Sequence, residues 1–434
     1  MIMNSDSTQI ILETVQSSFY KWRDFSLDER LIIIKDIKAR LLENKHAYAH
    51  AITTDMNKPI KQALAEVEKC AYLCDYYIDH AAVFLQNQEV KTNWSKSYIA
   101  FRPLGVLLGV MPWNFPFWQV FRFVIPNLIV GNTFVVKHAS NVPLSAQALE
   151  DVFNVASIDF PIYKNLSIKS NEVASVIENP IVKAISLTGS EGAGRAVAEV
   201  AGKHLKKCVL ELGGSNAFIV LEDADINLAA KKAVTARMQN AGQSCIAGKR
   251  FLVHEAVLDS FVTKFKEEIN GLVTGDKFDE TVTFGAMARE DLAIELQTQM
   301  NDSLALGATL EMGGTREGAY FEPTLLTNVS KEMPVFKQET FGPLASIVPF
   351  KTIEEAIELS NDSNFGLGAS IFTANTNNLE PYLHLFEEGA LFINEMVISD
   401  PNMPFGGIKN SGFGRELSHF ALYEFANVQS IVVK

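Results

Sequence analysis

Of the four cysteines in the 434-residue chain, Cys70, Cys74, Cys208 and Cys245, one stands where a thiol can do chemistry. The run Asn240-Ala-Gly-Gln-Ser-Cys-Ile-Ala-Gly-Lys-Arg250 puts Cys245 behind a helical stretch, in a turn flanked by Gly242 and Gly248 where backbone N–H groups can converge. A thiolate there can attack a carbonyl carbon, and an adjacent N–H can help hold the oxyanion that forms. Taken alone, a cysteine in a turn is more often a packed structural side chain. Cys70 and Cys74 lie four apart on one helical face, a spacing that suits core packing and suits a disulfide poorly.

Other residues raise the standing of Cys245. Pro112-Trp113-Asn114-Phe115-Pro116 holds the Asn114 amide between two prolines at the end of an apolar strand, a rigid donor fit for an oxyanion hole. Leu210-Glu211-Leu212-Gly213-Gly214 ends an apolar strand in a carboxylate, followed by two glycines that let a planar ligand approach. Burial would raise the pKa of Glu211 toward that of a general base. Ser186-Leu187-Thr188-Gly189-Ser190-Glu191 reads as a strand, a Gly/Ser turn and a helix start, whose physical use is to hold a phosphate on the helix N-terminus at Gly189 and Ser190. It is no strict G-x-G-x-x-G, and alone such a turn is more often a capping loop. Gln338-Glu339-Thr340-Phe341-Gly342-Pro343 sets the Glu339 carboxylate beside an aromatic ring in a rigid turn, where a ribose diol can take it.

These residues need a scaffold, and the hydrophobic pattern predicts one. From about Thr8 to His80 the apolar residues keep helical spacing, as at Leu31, Ile34, Ile37 and Leu41. Short apolar runs then alternate with helices: Gly105–Met111, Phe117–Val130, Thr133–Lys137, Leu144–Phe153, Ala184–Thr188, a helix from Glu191, and Cys208–Leu212. Strand, helix, strand, helix is the pattern of a doubly wound parallel sheet. A second α/β set begins near Ala217–Leu221 and runs to Ala390–Asn394. Ser97–Pro103 and Val428–Val433 read as β-rich segments outside both sets.

Whole-chain properties narrow the partners. A formal charge of −13, with no run of Lys and Arg beyond pairs such as Lys249-Arg250, disfavours nucleic acid and anionic membrane surfaces. Four cysteines are too few for a disulfide scaffold and match no zinc spacing, so no metal site is expected. Met1 to Gln16 lacks a basic start and an apolar core, so no export signal is read there. Polar residues and prolines interrupt every long apolar window, and a cytoplasmic enzyme is expected.

The motifs together, in this order, resemble the aldehyde dehydrogenase superfamily. The resemblance runs from about Trp22 to the C-terminus and includes Pro404-Phe405-Gly406-Gly407-Ile408-Lys409, Ser411-Gly412 and Gly414-Arg415. It implies an aldehyde dehydrogenase-like α/β fold with three parts: a Rossmann-like cofactor domain (1–92 with 105–213), an α/β catalytic domain (214–422) and a small β oligomerisation element (93–104 with 423–434). It implies Cys245 as nucleophile, Asn114 with the Cys245 N–H as oxyanion hole, and Glu211 as the base for the deacylating water. Trp113, Lys137, Ser140, Gly189, Ser190, Glu339 and Phe341 then contact NADP or NAD, with Lys137 and Glu339 on its two riboses. A homodimer or homotetramer is implied, through the β-rich segments. Two departures stand out: the chain begins close to its first helix, and Asn154–Lys164 lacks the usual Gly-Pro-Gly-like loop.

Coenzyme and substrate turn on three positions. Three residues after Lys137 comes Ser140, where many NAD-preferring relatives place Glu; a hydroxyl can donate to a 2′-phosphate that a carboxylate would repel. The plainer reading of Ser140 is a helix cap. Arg122, a guanidinium in an apolar helix eight residues beyond Asn114, resembles the carboxylate-binding arginine of succinate-semialdehyde dehydrogenases, and Ser399 resembles their assisting serine. Where those enzymes often carry a second arginine this chain has Gln239, with Arg237 two residues earlier. The expected reaction is succinate semialdehyde to succinate. The alternatives are a neutral aldehyde substrate, a CoA-acylating relative, which would not need Glu211, a non-catalytic scaffold, and an Arg122 that merely pairs with an acidic residue.

Overall fold

Helices open the chain because apolar residues recur at every third or fourth position. The computed structural model describes residues 5–434; of the segment Met1–Gln16, residues 1–4 lie outside the described residues. The first four helices are α1 (Ser5–Trp22), α2 (Leu27–Glu43), α3 (Lys45–Met56) and α4 (Ile60–Phe84). In α2 the buried stripe is Leu31, Ile34, Ile37 and Leu41, joined by Ile33. Its start is set by a capping box, in which Glu29 N donates to Ser26 Oγ at 3.3 Å and Ser26 N donates to Glu29 Oε2 at 2.7 Å. Cys70 and Cys74 are buried on α4 and unbonded.

After two strands, β1 (Gln88–Glu89) and β2 (Lys96–Pro103), the alternation begins. It runs β3 (Val106–Met111), α5 (Pro116–Val130), β4 (Thr133–His138), α6 (Pro143–Phe153), β5 (Tyr163–Asn165), α7 (Val173–Glu178), β6 (Val182–Thr188), α8 (Glu191–Lys203) and β7 (Lys207–Glu211). These strands lie side by side in the order β7-β6-β3-β4-β5, all parallel. Successive side chains enter opposite cores: Leu107, Phe134 and Val136 pack with α2 to α6, whereas Val106, Leu108 and Val135 pack with α1, α7 and α8. From β3 the chain winds outward to β4 and β5, then crosses to β6 and β7 on the other side. In an open α/β sheet that reversal leaves a crevice at the carboxyl ends of β3 and β6, where ligands bind.

The second large sheet contains β8 (Asn216–Val220), β9 (Gly248–His254) and the strands Thr309–Met312, Thr324–Thr327, Leu344–Phe350, Ala369–Phe372 and Leu391–Ile393. Only Thr309–Met312 runs antiparallel to its neighbour. Between β8 and β9 lies α9 (Ile226–Met238), capped by Asp225, whose carboxylate accepts from Asn227 N and Leu228 N.

Two pairings cross the boundaries drawn from sequence. Gly412–Phe413 returns from beyond the second sheet to pair antiparallel with β7, placing Gly412 opposite Glu211. Gln88–Glu89 joins the small sheet, in which β2 pairs along its length with Ala426–Val433. Among the described residues no helix is long and apolar enough to cross a membrane.

Candidate active site

The turn carrying Cys245 is held against its own backbone preference. After α9, Asn240 (φ 54°), Ala241 (φ 50°) and Gly242 (φ 73°) are all left-handed, which costs a non-glycine residue about 1 kcal/mol or more. The surroundings enforce it. Asn240 Nδ2 donates to Asn114 O at 2.8 Å and to Gln243 O at 3.1 Å, and Gln243 Nε2 donates to Asn240 O at 3.0 Å. At Gly242 a Cβ would lie 2.3 Å from the Gly342 carbonyl oxygen, so only glycine fits. Arg237, fully buried, donates to Thr340 O at 2.9 Å and to Gly342 O. It clamps the end of α9, just before the Cys245 turn, to the Glu339 loop and walls neither cavity at Cys245.

Asn114 follows β3 and is buried. Its Oδ1 accepts from Gln119 Nε2 at 3.0 Å and its Nδ2 donates to Gln243 O at 3.1 Å, which orients the amide and leaves one N–H over. The Cys245 N–H donates to no acceptor among the described residues. Two donors are thus available where an oxyanion would form beside the thiol.

Burial pushes the Cys245 thiol pKa up, and the cations of Arg122 and Lys249 only partly offset it, with Glu339 and Glu211 adding to the rise. Lys249, also fully buried, donates to Cys245 O at 2.9 Å, to Glu339 Oε1 at 2.7 Å and to Gly214 O. Glu211 ends β7 at 2% exposure with neither carboxyl oxygen hydrogen-bonded. Burial first, and the Glu416 carboxylate second, hold its carboxyl well above the usual range, against Arg122 and Arg415. Gly406 makes room for it, since a Cβ there would come within 2.7 Å of Glu211 Oε1. Glu211 walls neither of the cavities that meet at Cys245.

Arg122 has an acidic partner and also borders the cavity at the thiol. Its Nε lies 2.8 Å from Glu416 Oε2, with both side chains buried, and its guanidinium sits 4.4 Å from the Phe405 ring centre. The acidic partner exists, yet Arg122 also walls a cavity with Cys245, and its second terminal nitrogen has no hydrogen-bond partner among the described residues.

Two cavities meet at the thiol. The larger, about 470 Å³, lies over the crevice at β3 and β6 and is walled by Trp113, Asn114, Thr188, Gly189, Ser190, Gly213, Glu339 and Phe341. The smaller, about 200 Å³, lies between α4, α5 and the segment Met396–Ser399, and includes Glu66, Lys69, Trp118, Arg122 and Ser399. The roomier one suits a dinucleotide and the narrower one a short substrate. A third hollow at the end of β4 holds Lys137 and Ser140 facing Ser167 to Ser170.

The residues present fit a dinucleotide. Lys137 is 9% exposed and makes no ion pair among the described residues, and burial lowers its pKa. Thr188 Oγ1, on the wall of the larger cavity, is buried without a partner. A polar anionic ligand would satisfy both. Phe341 stands edge-on to Trp113 at 5.7 Å, and Glu339 accepts from Gly214 N at 3.1 Å. Ser190 does cap α8, accepting from Ala193 N at 3.4 Å, while still walling the cavity. Ser140 is no cap: α6 begins after Val142, and Asp55 Oδ2 accepts from Ser145 N and Ser145 Oγ at 2.8 Å each.

Sequence reading passed over Lys69, Lys249 and Glu416. Lys249 was seen only as half of a basic pair; its signal was a charge at the start of a strand that is apolar from Phe251 to Val253. Glu416 directly follows a motif residue, and Lys69 lies on the same helical face as Glu66 and Cys70.

With this geometry in hand, comparison with known proteins gives one answer. Residues 3–431 match the aldehyde dehydrogenase family model, and the chain belongs to that family. Over 430 residues it is 44% identical to the succinate semialdehyde dehydrogenase Sad, NAD(P)+, of Escherichia coli (strain K12), covering 98% of this chain and 93% of that protein. A probable NADP(+) succinate-semialdehyde dehydrogenase of Synechocystis sp. is also 44% identical, over 97% of this chain and 93% of that one. A crystal structure of succinic semialdehyde dehydrogenase from Streptococcus pyogenes, in complex with NADP+, superposes with a TM-score of 0.96 at 38% identity, covering all of this chain and 96% of that one.

Proposed function

We propose that this aldehyde dehydrogenase oxidises succinate semialdehyde to succinate with NADP+ or NAD+. The observation that carries the substrate is Arg122, a buried guanidinium with an unused nitrogen in the same small cavity as Cys245. Its planar fork can hold a carboxylate at the far end of a short aldehyde whose carbonyl sits at the thiol.

The Cys245 thiol loses its proton to solvent and Sγ attacks the aldehyde carbon, with the spare Asn114 N–H and the Cys245 N–H receiving the alkoxide. Bound in the larger cavity, the dinucleotide supplies the hydride acceptor that turns this adduct into a thioester. Trp113, Gly189, Ser190, Glu339 and Phe341 would hold its nicotinamide half, and Lys137 and Ser140 its adenosine ribose. Glu211 takes a proton from the water that cleaves the thioester, which frees the acid and restores the thiol.

The raised pKa of Glu211 has a kinetic consequence. Its carboxyl holds its proton to higher pH than an exposed carboxyl does, so the base form gains as pH rises. Turnover is expected to climb with pH. Glu211→Gln is expected to flatten that rise and to lower kcat by about a hundredfold to ten-thousandfold, while a first-turnover burst of reduced coenzyme persists. Rapid-mixing absorbance at several pH values checks this; loss of the burst would assign Glu211 to acylation instead.

The substrate is tested by steady-state kinetics of the unmodified enzyme with succinate semialdehyde and butanal, each with both coenzymes. At least about tenfold higher kcat/KM is expected for the acid, and NADP+ is expected to be accepted. Equal values for the two aldehydes would remove Arg122 from substrate binding. A preference for NAD+ of about a hundredfold or more would remove Ser140 from coenzyme choice.

We further propose that 1–92 with 105–213 binds the cofactor, that 214–422 supplies the nucleophile, and that 93–104 with 423–434 joins copies into a cytoplasmic homodimer or homotetramer. Val428, Val432 and Val433, each about half exposed on the final strand, support an edge that another chain covers.

A further inference from the structure

The smaller cavity is bordered by members of two ion pairs and by one cation that makes no ion pair among the described residues. Glu66 Oε2 lies 2.5 Å from Lys58 Nζ, and Glu66 Oε1 accepts from Phe117 N at 2.9 Å and Trp118 N at 3.1 Å. Arg122 is paired with Glu416. Together these pairs carry no net charge. A carboxylate brought beside Arg122 alone would therefore leave one uncompensated negative charge in a buried site, which is costly. Lys69, on α4, supplies what is missing: it makes no ion pair among the described residues, and its Nζ lies 4.3 Å from the Trp118 ring centre and donates to Ser399 Oγ at 2.9 Å. Trp118 Nε1 also donates to Ser399 Oγ, at 2.8 Å. With both lone pairs of that oxygen occupied, the Ser399 hydroxyl hydrogen is left to donate.

We infer that Lys69 is a second carboxylate-binding residue of the substrate cavity, acting with Arg122 and the Ser399 hydroxyl to hold the acid end of the aldehyde. The inference rests on the carboxylate-bearing substrate proposed above and adds the group that makes the site net positive. Arg122 contributes a planar fork of fixed direction; Lys69 contributes unneutralised charge and orients Ser399.

A pH effect follows. Burial, then the neighbouring Arg122 cation, push the Lys69 ammonium down to about 8, against the smaller opposing influence of Cys70, Glu66 and Asp400. Lys69 is charged below that pH and loses its charge above it. Preference for the acid aldehyde should therefore fall as pH rises through about 8. Titration of Cys245 and Glu211 alters the chemistry of both aldehydes alike and cancels in the ratio.

The test measures kcat/KM for succinate semialdehyde relative to butanal, from pH 6.5 to 9.5 or so, in the unmodified enzyme, Lys69→Met, Lys69→Arg and Arg122→Met. Lys69→Met should cut the ratio about tenfold to a hundredfold, the worth of one charge-assisted contact, mainly through KM for the acid. Lys69→Arg should keep the ratio high and remove its decline at alkaline pH, because arginine stays charged. A ratio unchanged in Lys69→Met, with the ratio lost in Arg122→Met, overturns the assignment of Lys69 alone. So does a fall in both activities at constant ratio, the signature of a residue that only supports Trp118 and Ser399. No preference for the acid in the unmodified enzyme overturns the carboxylate reading and this inference with it.

Discussion

Cys245→Ala should abolish aldehyde oxidation while leaving the fold and coenzyme binding intact. In the mechanism proposed the thiol makes the covalent bond, and no other described side chain at the junction of the two cavities can replace it. Its structural share is small. Cys245 packs only at the margin of the larger core, and the buried Lys249 holds the Cys245 carbonyl oxygen, not the sulfur, so the turn keeps its anchor in the variant. A stability loss of no more than about 1 kcal/mol is expected. Steady-state rates, coenzyme titration by fluorescence and a thermal melt together check this. Cys208→Ala, altered on β7 away from both cavities, is the control and should keep its turnover. More than a few per cent of activity in purified Cys245→Ala would sink the mechanism.

The second large effect is expected at Arg122, and the structure changes how it must be measured. Arg122→Ala removes the guanidinium and strands the Glu416 carboxylate in a buried site, which costs about 3–5 kcal/mol. It also removes a cation that holds down the pKa of Glu211. A lower rate in that variant alone would mix binding, stability and base strength. The double variant Arg122→Met with Glu416→Gln takes out both charges together. Its preference for succinate semialdehyde over butanal should fall about tenfold to a hundredfold, and its melting temperature should lie above that of Arg122→Ala. An undiminished preference in the double variant would show that the guanidinium does not meet the substrate.

What the sequence determined by itself is local. The period of the apolar residues set the strands and helices, because burying one face requires side chains every two residues in a strand and every three or four in a helix. Turn chemistry placed Cys245, Asn114, Glu211, Gly189, Ser190 and Glu339 at the ends of those elements, since each has a glycine or proline within three residues, where regular structure must stop. What the tertiary structure alone decided is which distant charged and polar groups meet. Lys249 meets Glu339 across 90 residues of chain, Arg122 finds Glu416 after a long excursion, and Lys69 reaches Ser399 across 330 residues. No periodicity encodes such encounters, because they depend on which strand ends the crossovers bring together. For the same reason Arg122 looked like either a pocket residue or half of an ion pair. A guanidinium has enough separate N–H groups to be both, and only packed neighbours show which of them are already used.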